Sequence, residues 1–185
     1  MSTSSPLRSL LRATTPRSTL RMTYYTISAF CAGALFWENV LTWQLSEGPS
    51  MYPTYNPRGD YLLISRLHKH GRGIEVGDVV RFYHPSFLGV CGAKRVIGMP
   101  GDFVCRDEPL SNTVGGKGDG HGHGGEMIRV PEGHVYVVGD NLPWSRDSRN
   151  FGPLPMGLIN GKVIARIWPL SKIGWAENTL KPVVE

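Results

Sequence analysis

A series of short apolar runs, each cut off by glycine, proline or aspartate, restricts the fold of this chain more than anything else in it. Residues 61–64, 79–83, 94–97, 135–138 and 162–168 are rich in Val, Ile, Leu and Tyr and span four to seven positions each. Runs of that length, bounded by turn formers, read as strands. No useful segment between them carries the 3.6-residue apolar period of an amphipathic helix. The expected fold is all-β, with antiparallel coiled sheets forming a partly open barrel.

Two different segments precede the strands. Residues 1–22 are rich in Ser, Thr and Arg and contain no acid, the composition of a mitochondrial targeting extension. Residues 23–45 then turn apolar, with Tyr24 and Tyr25 at one end and Trp37 and Trp43 near the other. That length and the flanking aromatics predict one N-terminal transmembrane helix, against which Glu38 and Asn39 count. Arg8, Arg12, Arg17 and Arg21 precede the apolar segment, while Glu38 and Glu47 open the flank after it. The positive-inside bias would leave the N-terminus in the matrix and put the rest in the intermembrane space.

Those four arginines also account for most of the formal net charge of +5. Sixteen basic and fifteen acidic residues remain beyond them, so the folded part is close to neutral and no nucleic-acid-binding face is expected. Residues 67–73 read as a basic, solvated loop. Residues 111–125, with repeated glycines and the pair His121 and His123, cannot bury a core and read as a mobile loop. No third ligand stands near those histidines, so no metal is expected. Cys31, Cys91 and Cys105 make neither a metal spacing nor a disulfide framework. A hairpin of residues 90–97 with 103–106 would set Cys105 nearer Arg95 than Cys91, which makes a bridge between the two cysteines doubtful. The folded domain is placed at residues 46–170, followed by a tail at 171–185.

Three stretches carry the chemistry. They are Gly48-Pro49-Ser50-Met51-Tyr52-Pro53-Thr54, then Lys94-Arg95-Val96-Ile97-Gly98-Met99-Pro100-Gly101-Asp102, then Gly139-Asp140-Asn141 running on to Ser145-Arg146-Asp147-Ser148-Arg149-Asn150-Phe151-Gly152. In this order they resemble the signal peptidase I family, whose serine nucleophile is served by a lysine. Gly48-Pro49-Ser50-Met51, the segment from Gly152 to Ile159 and Ile167-Trp168-Pro169-Leu170 are similar to its mitochondrial inner membrane peptidase branch, in the type of the first catalytic subunit. Many bacterial relatives carry a serine two residues before the nucleophile, where this chain has Gly48.

The resemblance implies Ser50 as nucleophile and Lys94 as general base. It also implies Ser145 as the hydroxyl that orients the lysine, and Asp147 with Arg149 as an ion pair that stiffens the loop. The backbone N–H of Ser50 would be one oxyanion donor. A lysine acts as base only when neutral, and its reference pKa near 10.4 must fall by roughly three units to reach about 7.5. Burial is the usual cause of such a fall, so an apolar surround is expected for Lys94. Strand alternation puts Lys94 and Val96 on one face and Arg95 and Ile97 on the other.

By the same resemblance, no cofactor is required. The partners would be precursor proteins carrying sorting signals, the lipid of the inner membrane and a homologous second peptidase subunit. Three other readings compete. A Ser-His-Asp hydrolase would need His84 or His134 beside Ser50. An inactive membrane-tethered scaffold would not need both dyad residues. A self-cleaving repressor would need a DNA-binding helical module in place of the apolar segment.

Overall fold

The structure, a computed structural model, describes residues 16–106, 126–178 and 180. The chain divides into two compact units, residues 1–39 and 40–185. In the first, helix α1 spans Pro16–Val40. Its large apolar side chains, Phe30 and Leu35 among them, are exposed. The transmembrane expectation for residues 23–45 is not met as written. Residues 41–45 are a strand, and no helix among the described residues is long and apolar enough to cross a membrane. Between Arg21 and Glu38 lie sixteen uncharged residues, fewer than the roughly 20 that a span requires.

The second unit is mostly β and antiparallel. Its strands are β1 (Leu41–Leu45), β2 (Tyr61–Ser65), β3 (Val79–Tyr83), β4 (Cys91–Gly98), β5 (Phe103–Arg106), β6 (Glu126–Arg129) and β7 (His134–Val138). A short helix α2 (Ser148–Phe151) follows, then β8 (Leu154–Pro155), β9 (Ile159–Trp168) and β10 (Gly174–Trp175). The main sheet runs in the order β1-β2-β9-β3-β4-β7-β8, and β10 adds to β9. Register shifts interrupt β2 against β9, β3 against β9 and β4 against β7. Such bulges bend and twist a sheet, in keeping with the half-barrel form.

The alternation seen in the sequence decides what is buried. Val80 and Phe82 of β3, Val96 of β4, Val135 and Val137 of β7, Leu154 and Ile159 form one core. Met51, Tyr55, Leu62, Ile64, Val79 and Val163 form a second, on the side of the sheet where Ser50 lies. A third, smaller cluster joins Val104, Val130 and Tyr136 under β5 and β6.

All five predicted strands are present, and three expectations need correction. β4 and β5 are not a hairpin: β4 pairs with β3 and β7, while β5 pairs with β6 in a separate two-stranded sheet. The cause is visible at Gly98, where an added Cβ would meet Val104 Cγ1 at 2.6 Å, so β5 crosses over β4 in contact with its backbone. All three cysteines are free. Residues 66–71 form 3-10 turns that pack against β9. The domain also continues past residue 170, because β10 pairs with Ala165 and Arg166. The Gly/His-rich loop at 111–125 lies outside the described residues.

Phe82 has 1% of its surface exposed and packs against Phe151, with ring centroids 6.2 Å apart and planes tilted by 53°. Phe82→Ala is expected to cost about 3–5 kcal/mol, measured by denaturant unfolding. A loss under about 1 kcal/mol would mean that β3 is not central to the core.

Candidate active site

Residues 49–51 form a single 3-10 turn after Gly48. Gly48 has φ 94°, a conformation in which a residue with a Cβ is strained. Met51, at 4% exposure, plugs the turn into the second core and also lines the cleft above it. The serine is thus held by the burial of its neighbour.

Lys94 reaches the same point from β4. Its Nζ lies 2.5 Å from Ser50 Oγ, with the ammonium donating. When the amine is neutral the contact reverses, and Ser50 Oγ–H donates. Lys94 is 6% exposed. Burial pushes its pKa down to about 8, against the carboxylates of Asp147 and Asp140, which raise it, and with Arg149, which lowers it. An amine that titrates there is partly neutral near physiological pH and can accept a proton.

The third stretch closes around this pair. Asn141 donates its backbone N–H to Ser50 O and its Nδ2 to Pro49 O, each at 3.0 Å. Asp140 accepts from Arg95 Nε at 2.9 Å, from Arg95 Nη2 at 2.8 Å, and from Thr54 Oγ1. One carboxylate therefore ties β4 to the segment after Ser50. Arg95 also donates to Gly77 O at 2.7 Å and is not part of the cleft lining.

Asp147 is fully buried and saturated with donors. Its Oδ1 accepts from Arg149 N–H and Nε, and its Oδ2 from Ser145 Oγ at 2.6 Å, Gly139 N–H at 2.9 Å and Arg149 Nη2 at 2.9 Å. Burial alone would raise this carboxyl, but the bonds from Arg149, Gly139 and Ser145 outweigh it and hold the group below the usual carboxylate range. The Asp147–Arg149 pair is thus interior, at 0% and 7% exposure. Ser145 gives its proton to Asp147, and no hydrogen bond joins it to Lys94 among the described residues. Its oxygen packs at Gly139, where an added Cβ would lie 2.2 Å from Ser145 Oγ and 2.5 Å from Ser50 O.

A cleft of about 410 Å³ opens beside the dyad. Residues 44–48 form one wall and residues 91–94 the other, over a floor that includes Leu62, Ile64, Arg81 and Val163. β4 pairs with β3 from Cys91 to Arg95, but with β7 only from Arg95 onward. The other edge of residues 91–94 is therefore without a strand partner among the described residues. His84 is packed against Phe87 and Phe151, and His134 Nδ1 lies 3.0 Å from Glu132 O, so neither bonds to Ser50. The sequence reading missed the bracing role of Thr54, Arg95 and Asp140, and the presence of Arg81 and Cys91 in the cleft. The only signal for the brace was that all three of its residues fall inside the motif stretches.

Two outcomes follow from this geometry. The unfolded chain keeps its lysine proton up to about 10.5 and the folded chain only to about 8, so stability rises with pH between those values. At about 1.4 kcal/mol per unit, Lys94→Met should stabilise the fold by up to about 3 kcal/mol below pH 8. That gain should fade towards pH 10.5 in urea titrations, and a destabilised or pH-independent variant would refute the cost assigned to the buried amine. Gly139→Ala should displace Ser145 and the Ser50 carbonyl and lower thermal stability by about 1–3 kcal/mol, whereas an unchanged melting temperature would mean the contact is slack.

Comparison with known proteins identifies the family of the chain. A family model described as signal peptidase, peptidase S26, matches residues 19–117 and 110–168. The mitochondrial inner membrane protease subunit 1 of Schizosaccharomyces pombe is 43% identical over 141 residues, covering 76% of this chain and 80% of that protein. The human protein of the same name is 38% identical over 157 residues, covering 85% and 87%. A crystal structure of a signal peptidase I from Enterococcus faecalis aligns with a TM-score of 0.38 at 25% identity, over 50% of this chain and 97% of that one. With its serine and lysine in contact and its motifs in family order, this chain belongs to the peptidase S26 family of signal peptidases.

Proposed function

We propose that this chain is a serine endopeptidase of the mitochondrial inner membrane that removes sorting or signal peptides from proteins delivered to the intermembrane space. The observation that carries the reading is the contact of Lys94 Nζ with Ser50 Oγ, buried at the end of a cleft with an unpaired strand edge. In the proposed reaction, the segment before the cut lies extended along residues 91–94 and adds main-chain hydrogen bonds to that edge. Ser50 Oγ attacks the scissile carbonyl while its proton passes to neutral Lys94. The Ser50 N–H donates to the developing oxyanion. The C–N bond then breaks, the leaving amine takes the proton from Lys94, and an ester remains on Ser50. A water gives a proton to Lys94, its oxygen attacks the ester, and the proton returns to Ser50 as the acid product leaves.

Ser145, Asp147 and Arg149 hold the wall of the site in this scheme. Ser145 has lone pairs left to accept from the Lys94 ammonium, since its own proton goes to Asp147. Helix α1, with its exposed apolar side chains, attaches the chain to the membrane, and the catalytic unit faces the intermembrane space. A homologous second subunit completes the assembly, as the word subunit in the relatives' names suggests. The scaffold reading is weaker because both dyad residues are present and in contact.

The first test is cleavage of a mitochondrial precursor bearing a sorting signal by membranes that contain this chain. Ser50→Ala should abolish cleavage, and Lys94→Arg should be as inactive as Lys94→Ala, because a guanidinium stays protonated. Equal cleavage by Ser50→Ala would remove the peptidase reading. Substantial activity in Lys94→Arg would remove the lysine base. With the parent enzyme, kcat/KM should climb through a pKa of about 8 as Lys94 loses its proton; a flat profile from pH 6 to 9 would contradict that assignment. Alkaline carbonate should leave the chain in the membrane pellet, and rupture of the outer membrane alone should expose the catalytic unit to added protease. Full extraction, or protection until the inner membrane is lysed, would overturn attachment or orientation respectively.

A further inference from the structure

Two loops at one end of the main sheet carry side chains that the fold does not use. The first is the tip of the β3–β4 hairpin, residues 84–90. His84 N–H donates to Val90 O at 2.8 Å and the His84 ring packs on Phe87, so the tip has a defined shape. Yet Leu88 is fully exposed, and Phe87 and Val90 are each half exposed. One exposed leucine needs no explanation, but three large apolar side chains within four residues do. The second loop is the pair of 3-10 turns at residues 66–71 after β2, with Arg72 following. Leu67 is exposed there, and Lys69 and Arg72 form no ion pair among the described residues.

Register puts both loops at the end of the sheet where the chain enters from α1. Leu41, the residue after α1, pairs with Ser65, which directly precedes the turns. Ser65 pairs with Lys162, Lys162 with Val80 and Val80 with Lys94, so these residues share one level. From that level β3 runs on to Tyr83 and the hairpin tip, roughly 10 Å further at about 3.3 Å per residue. The turns reach the base of the tip through His70, whose Nδ1 lies 3.2 Å from Gly157 O, close to Ile159, the partner of Phe82. No acid occurs between Asp60 and Glu75, or between Asp78 and Asp102. The two loops therefore offer apolar side chains and unpaired cations with no carboxylate among them.

We infer that this end of the sheet is a membrane contact, in which Leu67, Phe87 and Leu88 enter the headgroup region while Lys69 and Arg72 meet the phosphates of anionic phospholipids. Apolar side chains gain by leaving water at a bilayer interface, and an anionic surface strengthens the binding of each nearby cation by roughly fivefold. Lipid is the occupant because no residue separates α1 from β1: a helix held by the bilayer keeps the Leu41 end of the sheet within reach of its surface.

This inference rests on the attachment of the chain by α1 and is tested separately from it. The probe is the full chain with Cys31, Cys91 and Cys105 changed to Ser and a spin label on Leu88→Cys. It would be reconstituted in vesicles of phosphatidylcholine, alone or mixed with phosphatidylglycerol, and flotation with the vesicles reports attachment by itself. In the mixed vesicles the label should be reached by oxygen dissolved in the lipid and shielded from an aqueous nickel chelate. β7 starts at the other end of the sheet, where Tyr136 pairs with Gly98, so a label on the exposed Glu132→Cys should stay in water. Omitting phosphatidylglycerol, or combining Lys69→Gln with Arg72→Gln, should lower the ratio of lipid-immersed to aqueous Leu88 label by roughly tenfold or more. A chain that floats while this label stays aqueous in the mixed vesicles overturns the inference and leaves attachment standing. Equal immersion in both lipids and in the double variant overturns the anionic contact. A label shielded in whole inner membranes but not in vesicles gives the surface to a protein and overturns it too. A chain that does not float removes attachment and this contact together.

Discussion

The site depends on one carboxylate that never meets water. Asp147 gathers the backbone of Gly139 at the end of β7, the hydroxyl of Ser145 and the side chain of Arg149 around two oxygens. A buried acid with fewer donors would neutralise or drag its loop to the surface. Saturated as it is, it fixes the path of residues 139–149, and that path carries Asn141 onto the carbonyls of Pro49 and Ser50. The position of Ser50 is thus set partly by a group that is not in contact with it. Removing one member of such a network would leave the others buried and unpaired, so its parts are expected to fail together.

The same carboxylates complicate the task of Lys94. Asp147 and Asp140 both favour the ammonium, while burial and Arg149 favour the amine. Each acid is held by an arginine, Asp147 by Arg149 and Asp140 by Arg95, and Arg149 opposes part of the pull of the acids on the lysine. Desolvation then wins, and the balance settles near pH 8. The two ion pairs therefore serve geometry and proton affinity at once.

The strand content and the residues that meet at the Ser50–Lys94 contact were legible in the sequence because both are marked by local signals. Alternating apolar runs mark strands wherever they lie, and the motif around Lys94 gives its identity and its neighbours together. What the sequence hid was pairing. Nothing in residues 98–106 shows that β5 leaves the plane of β4, because that follows from Val104 packing on Gly98. Residues 41–45 are apolar enough to continue a helix, yet they pair with β2, whose edge needs a partner more than α1 needs another turn. The Asp147–Arg149 contact was anticipated as a pair, but its complete burial depends on the wall that β7 and α2 build around it.

The edge of residues 91–94, open among the described residues, bears on turnover. On the proposed reading, a peptide that joins the sheet there makes the same main-chain bonds before the cut and after it. Interactions of that kind bind substrate, transition state and product alike, so they tighten capture without speeding the bond-breaking step. The severed segment keeps its grip on the edge and gains a terminal carboxylate beside the Lys94 ammonium. An enzyme built this way is slowed by its own product, and its working rate depends on how readily the membrane draws the released signal segment out of the groove.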